Sequence, residues 1–340
     1  MINTSISNRS VLILGATGSV GCYTALILKE HGWTVHAVGR RASDNGFFAR
    51  HGITYTSADI CRKESFDTLP RRVDAVIHLA GAMPARMQGY SPHDYISSIM
   101  GGTLNVLEYM TAIGCKKIVF SHSIADILYK FGTLNPISSD SEMRFPVNSD
   151  HSVYSICKNA AVNLIEHYHE RYGISRFILR LPTIYVYQPS PFYYVDGIKR
   201  WIGYRYIIEQ ARKGAPLEIW GNPESTKEVV YIKDLVQLIE KCLEAYCSGG
   251  IYNAGMGEPL SIREQITTIA EVFAPPSGQS PISYCPEKPS SPQFVLDISK
   301  AQKELGYHPQ YNFRKWLVEF KRDMETNPCR ELWGDPEDTL

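Results

Sequence analysis

The chain has no net charge, since 35 lysines and arginines balance 35 aspartates and glutamates. No long-range field therefore draws it to nucleic acid or to an anionic membrane, and any basic site must be local. It has no apolar run near 18 residues and no N-terminal signal pattern, so neither a membrane span nor export is expected. Cysteine is scattered over Cys22, Cys61, Cys115, Cys157, Cys242, Cys247, Cys285 and Cys329, with no C-x-x-C pair and no histidine cluster at zinc spacing. That distribution argues against a disulfide framework and against a metal site, and fits reduced thiols in a cytoplasmic protein. Internal repeats are absent too.

What the chain does have is length enough for about two domains, and one crowded stretch near its start. In "SVLILGATGSVGCYTALIL", from Ser10 to Leu28, three glycines fall within seven residues between two apolar runs. Val11 to Leu14 is short, apolar and ends at glycine, which predicts a strand buried on both faces. From Val20 the residues are good helix formers. A glycine-rich turn between strand and helix presents unpaired backbone N–H groups at the positive end of a helix, where a pyrophosphate can approach closely. The spacing here is Gly15-x-x-Gly18-x-x-Gly21, not the G-x-G-x-x-G of the common dinucleotide fingerprint. Glycine also ends strands and lets helices pack closely, so the turn by itself leaves a purely structural role open.

Further strands are expected at 34–42, broken at Gly39, at 52–60, 73–82, 115–126 and 175–184, with helices near 92–113 and 153–173. This alternation predicts an α/β fold, a doubly wound parallel sheet of the Rossmann type, with ligands at the carboxyl ends of the strands. The glycine turn, Arg40, Asp59, Ala80 and Ser123 all fall at such ends. From Pro182 the rhythm fails. Segment 185–206 is aromatic, basic and punctuated by Pro and Gly, and 275–292 is rich in Pro and Ser. Segment 228–255 returns to strand and helix patterning and is expected to rejoin the sheet. The expected division is a dinucleotide-binding unit of 1–182 with 228–255, and a smaller, irregular substrate unit of 183–227 with 256–330.

Tyr154 and Lys158 stand one turn apart on a predicted helix and so share a face. An ammonium close to a phenol lowers its pKa from about 10 toward working pH and makes a tyrosine that can accept or donate a proton. The Y-x-x-x-K spacing also occurs by chance on solvated helices. Ser123, just past a strand end, could hydrogen-bond a substrate hydroxyl or simply cap the next helix. His122 could act as a second base, although a histidine there more often packs.

These elements together resemble the extended short-chain dehydrogenase/reductase family, in particular the NAD(P)-dependent epimerase/dehydratases of nucleotide sugars. The likeness spans roughly Ser10 to Phe320. It is carried by "GATGSVG", "HLAGA" and "YSICK", and further on by "PLEIWGNPESTKEVVYIKDL", "YNAGMGEPLSIREQ" and "DISKAQKELGYHP". The resemblance implies that Tyr154 exchanges a proton with a sugar hydroxyl as hydride moves to a nicotinamide, that Lys158 holds the ribose and tunes Tyr154, and that Ser123 orients the hydroxyl. It also implies that Gly15, Gly18 and Gly21, with Thr17, Ser19 and Val20, carry the pyrophosphate. Asp59 and Ile60 would meet the adenine, and Leu79, Ala80 and Ser98 would complete the cofactor set.

Departures from the family pattern narrow the function. Where NAD-binding members often have an acidic residue after the second strand, this chain has Gly39, then Arg40 and Arg41, which favours the 2′-phosphate of NADP over NAD unless both arginines are merely solvated. Dehydratases of the family place Asp-Glu directly after the hydroxyl residue. Ile124-Ala125 stands here and Asp126 comes one position late, so water elimination is not expected. Ile99, Thr183 and Val186-Tyr187 replace residues usual in the family. Two arginines that grip the sugar-nucleotide diphosphate are replaced by Lys227 and Lys288, which keep charge but lose the bidentate fork. Trp220 could stack on the nucleotide base or pack beside Ile219, and the aromatic stretch 192–206 could line the cleft or cover a core. The leading expectation is an epimerase acting through a keto intermediate. A reductase or dehydrogenase exchanging NADP(H) is the alternative, and a non-catalytic dinucleotide sensor the third. The resemblance also implies a homodimer built on the helices near 92–113 and 154–172.

Overall fold

The structure, a computed structural model, describes residues 9–84, 90–145, 147, 152–195 and 198–335. Its first half runs β1 (Ser10–Leu14), α1 (Ser19–Glu30), β2 (Thr34–Gly39), α2 (Phe47–Arg50), β3 (Thr54–Ser57), β4 (Ala75–His78), α3 (Pro92–Tyr95), a π-helical turn at Ile96–Gly101, α4 (Gly102–Ile113), β5 (Lys117–Ser123), α5 (Ser152–Tyr172) and β6 (Ser175–Leu181). It continues with β7 (Thr183–Tyr185), β8 (Phe192–Val195), β9 (Ile198–Trp201), α6 (Gly203–Arg212), β10 (Leu217–Trp220), β11 (Val229–Tyr231), α7 (Ile232–Glu244) and β12 (Gly249–Asn253). The last elements are α8 (Ile262–Val272), β13 (Ile282–Cys285), α9 (Ser299–Leu305), α10 (Phe313–Thr326) and α11 (Arg330–Trp333).

Seven strands form one parallel sheet in the order β12-β6-β5-β4-β1-β2-β3. Up to β12 this is the doubly wound dinucleotide-fold order. The unbroken apolar run of β1 follows from its position: Val11 and Ile13 enter one core with α1, α7, α8 and α10, while Leu12 and Leu14 enter another with α4 and α5. A strand covered on both faces has no polar side to show.

Several boundaries differ from the sequence reading. The strand expected at 115–126 stops at Ser123 and gives way to a 3₁₀ segment, Ile124–Lys130. The strand expected at 175–184 breaks at Pro182, which has no N–H for a ladder; Thr183–Tyr185 then pairs with β11 outside the main sheet. Of 228–255, β12 does rejoin the sheet beside β6, but β11 does not. The stretch expected to be irregular holds an antiparallel β8–β9 pair, with Phe192 opposite Trp201 and their rings 4.8 Å apart.

The register of β5, β6 and β12 places His122, Arg180 and Asn253 in one row across three strands. Arg180 is fully buried and forks onto Asp126, with Nε 3.0 Å from both carboxylate oxygens and Nη2 2.7 Å from one. Its Nη1 donates to Ser139 O at 3.0 Å and Asn253 Oδ1 at 3.2 Å. Asn253 in turn donates to the Ile137 and Asp297 carbonyls. Burial alone would raise the Asp126 carboxyl, but His122 and Arg180 outweigh it and hold the group below the usual carboxylate range. The network fixes the chain just beyond Ser123. Removing one member of such a pair strands a buried charge. Asp126→Ala is therefore expected to cost about 3–5 kcal/mol in urea denaturation, and pairing it with Arg180→Met should restore part of that loss; strictly additive losses would contradict the coupling.

Candidate active site

The glycine turn leaves β1 with Gly15 at φ +88°, where a Cβ would stand 2.9 Å from Ala80 N. At Gly21 a Cβ would lie 2.2 Å from Gly15 O. Both positions require glycine because backbone occupies the space a side chain would need. Gly18 begins α1 without any side-chain cap, and the first turn of this 12-residue helix carries no acidic residue. Among the described residues, the backbone N–H groups of Ser19, Val20 and Gly21 have no protein acceptor, so the helix end is open to an anion. These residues fit a dinucleotide pyrophosphate.

Two strands away along the same sheet edge, Ser123 closes β5. Its Oγ accepts from Ala125 N at 3.2 Å, capping the 3₁₀ segment, and the hydroxyl lies close enough to the Tyr154 phenol to lower that group's pKa. Of the two roles considered for this serine, the cap is the one seen in the protein alone. Tyr154 lies near the start of α5, with the Tyr95 ring packed edge-on at 5.8 Å. Burial pushes the phenol up to about 12; Ser123 opposes the shift and Tyr95 adds to it. Lys158, one turn on, is buried and donates to Ser121 O at 2.6 Å, with Ser121 Oγ at 3.4 Å and the Phe120 ring centre 4.7 Å away. Burial lowers this ammonium to about 7. The expectation that Lys158 depresses the Tyr154 pKa is not met in the protein alone, because Lys158 is held on the Ser121 carbonyl and does not figure among the groups acting on the phenol.

The remaining cofactor candidates divide. Thr17 fills the place beyond Gly39 where a side chain would project, since a Cβ at Gly39 would lie 2.7 Å from Thr17 Oγ1 and Cγ2. Arg40 is exposed and makes no ion pair or side-chain hydrogen bond among the described residues. Arg41 donates to the Leu332 carbonyl, so the two arginines are not equivalent. Asp59 accepts from Cys61 N at 3.0 Å, and Ile60 is buried against Gly102. Leu79 and Ala80 form the wall facing Gly15. The Ser98 hydroxyl donates to Asp94 O and accepts from Ala82 N at 2.9 Å, which ties the loop after β4 and spends its donor within the protein.

On the far side of the strand ends, Trp220 is half exposed rather than packed in the core beside Ile219. Its Nε1 donates to Glu218 at 2.8 Å, and Lys288 lies 4.6 Å over its ring while pairing with the same Glu218. The β10–β13 pairing brings these residues together. Thr183 is exposed beside Val229, two residues from Lys227. Lys227 has a pKa lowered by burial and no acidic partner among the described residues. His122 is buried, 3.2 Å from Asp126, and burial lowers its pKa, which makes it a packing residue of the Arg180 network rather than a base.

Sequence reasoning missed Ser121, Tyr95 and Glu228. Ser121 shares a strand face with Ser123 by the period of two, a signal that was available. Glu228, buried and raised to about 7 mainly by that burial, accepts from Met256 N at 2.7 Å and Leu296 N at 2.9 Å and so joins the two loops after β12 and β13. Among the described residues, no group of three or more His, Cys, Asp or Glu is placed to hold a metal, and no helix is long and apolar enough to cross a membrane.

Strand order, glycine turn and strand-end side chains define a Rossmann-type dinucleotide fold. The chain belongs to the NAD dependent epimerase/dehydratase family, whose sequence profile matches residues 11–255. It is 26% identical over 356 residues to UDP-glucose 4-epimerase 4 of Oryza sativa subsp. japonica, covering 96% of this chain and 90% of that one. To the UDP-glucuronate 4-epimerase of Thermodesulfobacterium geofontis it is 27% identical over 278 residues, covering 82% and 79%. Solved structures share the fold. The UDP-N-acetylglucosamine 4-epimerase of Bacillus cereus superposes with a TM-score of 0.74 at 21% identity, covering 94% of this chain and 97% of that one. The UDP-glucose 4-epimerase of Thermus thermophilus, in complex with NAD, gives 0.69 at 21%, covering 92% and 99%.

The buried lysine has a signature in solution. Its folded pKa of about 7 lies below the unfolded value of about 10.4. Between those values the unfolded chain binds more protons, so this group makes the protein more stable as pH rises through that window. Lys158→Met removes the effect. Its thermal midpoint relative to the unsubstituted protein should be most favourable near pH 6–7 and lose that advantage toward pH 10, whereas a gap that widened with pH would contradict the assignment.

Proposed function

We propose that this protein epimerises a nucleotide-linked sugar by transient oxidation to a keto sugar, with Ser123, Tyr154 and Lys158 as its catalytic group. The observation that carries the reading is the placing of Ser123 beside the Tyr154 phenol at the end of β5, two strands from an uncapped glycine turn at the end of β1. When bound, the dinucleotide supplies a hydride acceptor and a positive charge at its nicotinamide ring. Ser123 orients the reacting hydroxyl, and Tyr154 takes its proton as the carbon gives up hydride. The phenol, held near 12 in the protein alone, must first be deprotonated to act as this base; the positive charge of a bound nicotinamide would favour its phenolate, and the same oxygen would return the proton to the sugar oxygen as hydride comes back, with Lys158 one helical turn away. Asp126 is engaged with Arg180, so among the described residues the carboxyl nearest in sequence after Ser123 is not free for water elimination.

The names of the relatives point to a UDP-hexose, UDP-hexuronate or UDP-N-acetylhexosamine inverted at C4. Trp220 suits a base, while Lys227 and Lys288 suit a diphosphate, Lys227 the more so for having no acid of its own. We read 1–182 with 228–255 as the dinucleotide unit and 183–227 with 256–330 as the sugar-nucleotide unit, in a cytoplasmic homodimer. Leu104 on α4 and Ile156 on α5, both exposed, suit such a contact. The cofactor is NAD or NADP. Arg41's bond to Leu332 leaves Arg40 as the unengaged guanidinium for a 2′-phosphate, and solved relatives carry NAD. The free Arg40 also favours a second reading, an NADP(H)-exchanging reductase.

Proton NMR of the protein with each UDP-sugar should show the C4 epimer accumulate to equilibrium with no added dinucleotide. Tyr154→Phe should slow this about 10²–10⁴-fold with little change in UDP affinity. Full activity in Tyr154→Phe would sink the catalytic assignment, and net consumption of NADPH with a carbonyl substrate would favour the reductase.

A further inference from the structure

Beyond the residues matched by the family profile, 11–255, the chain's last described segment returns to the glycine turn. Leaving α10, it reverses at Asn327, which has φ +42° and donates from Nδ2 to Gly334 O at 3.1 Å, closing the segment on itself. Cys329 and Leu332 are buried to 1% exposure or less, and Cys329 Sγ lies 3.2 Å from Cys22 Sγ on α1. Three hydrogen bonds then span two stretches that are separate in sequence. Trp333 Nε1 donates to Thr17 O in the glycine turn at 2.9 Å, Arg41 donates to Leu332 O, and Asn45 Nδ2 donates to Glu331 O at 2.8 Å. The first stretch faces a pyrophosphate and the second, after β2, faces an adenosine ribose in a sheet of this order.

We propose that the segment Asn327–Asp335 is a positioning strap of the dinucleotide site: it joins the glycine turn to the loop after β2 and sets the direction of Arg41. This rests on the reading that the turn binds a dinucleotide. The strap need not touch the cofactor. It acts by holding Thr17 and Arg41 in one arrangement, so that the ordering cost is met by packing of Cys329 against Cys22 on α1 and by burial of Leu332 rather than at binding. Trp333 is the residue through which this can be tested, because its ring packs 6.4 Å from Tyr23 while its N–H alone reaches the turn.

The test compares the full chain with Trp333→Phe, which keeps an apolar ring and loses the N–H donor. Binding of NAD, NADP and, separately, UDP to cofactor-stripped protein is measured by calorimetry at 20 °C. Dinucleotide affinity should fall about 3–10-fold, the effect of one lost hydrogen bond, with UDP affinity unchanged. By linkage, added dinucleotide must also slow hydrogen exchange in 327–335 of the unsubstituted protein, a readout that survives even if the variant folds poorly. Lower thermal stability with unchanged dinucleotide affinity and no exchange protection would make the strap merely structural and overturn the proposal. An unsubstituted protein that binds neither dinucleotide would overturn the reading beneath it, and the strap's role with it.

Discussion

At the glycine turn backbone lies against backbone: the turn sits against the end of β4 and against itself with no room for a methyl group. From that contact follow the direction of α1, the openness of its first turn, and the distance from the turn to Ser123 two strands away. Glycine in the left-handed region at Gly15 is what lets the strand turn sharply enough. The parallel sheet supplies the rest, since it delivers every functional strand end to one edge. Such an edge can hold an extended ligand across several strands.

A second constraint works beneath Ser123, Tyr154 and Lys158. The sheet register aligns His122, Arg180 and Asn253, and the charge of Arg180 is met by Asp126 from the segment that follows Ser123. The ion pair anchors the chain on the His122 face of β5, while Ser121 and Ser123 lie on the other face, toward Lys158 and Tyr154. One strand thus carries a structural face and a chemical face, separated by the period of two. Burial then sets the two titrating groups: it raises a neutral acid and lowers a cationic one, so that each favours its uncharged form more than it does in water.

Local pattern made much of this legible. The buried run Val11–Leu14, the spacing of Gly15, Gly18 and Gly21, and the one-turn separation of Tyr154 and Lys158 depend on neighbours within a few residues, and strand-helix alternation then implies the sheet. What depends on partners far along the chain was not legible. Arg180 and Asp126 stand 54 residues apart and meet only through register, Lys158 takes the carbonyl of Ser121 rather than acting on Tyr154, and Arg41 is turned aside by a segment 291 residues later. Trp220 showed no period that would distinguish a half-exposed ring from a packed one. The break at Pro182 was available in principle, because proline cannot donate to a ladder.

In the proposed reaction the strand ends keep a dinucleotide through a closed cycle of oxidation and reduction, since releasing the cofactor midway would strand a keto sugar. Denaturing freshly purified protein and identifying what it releases by mass spectrometry tests this without any choice of substrate. Near-stoichiometric NAD or NADP is the expected result, its mass reporting what Arg40 reads. A folded protein that releases none, and binds neither on titration, would contradict the account at its first step.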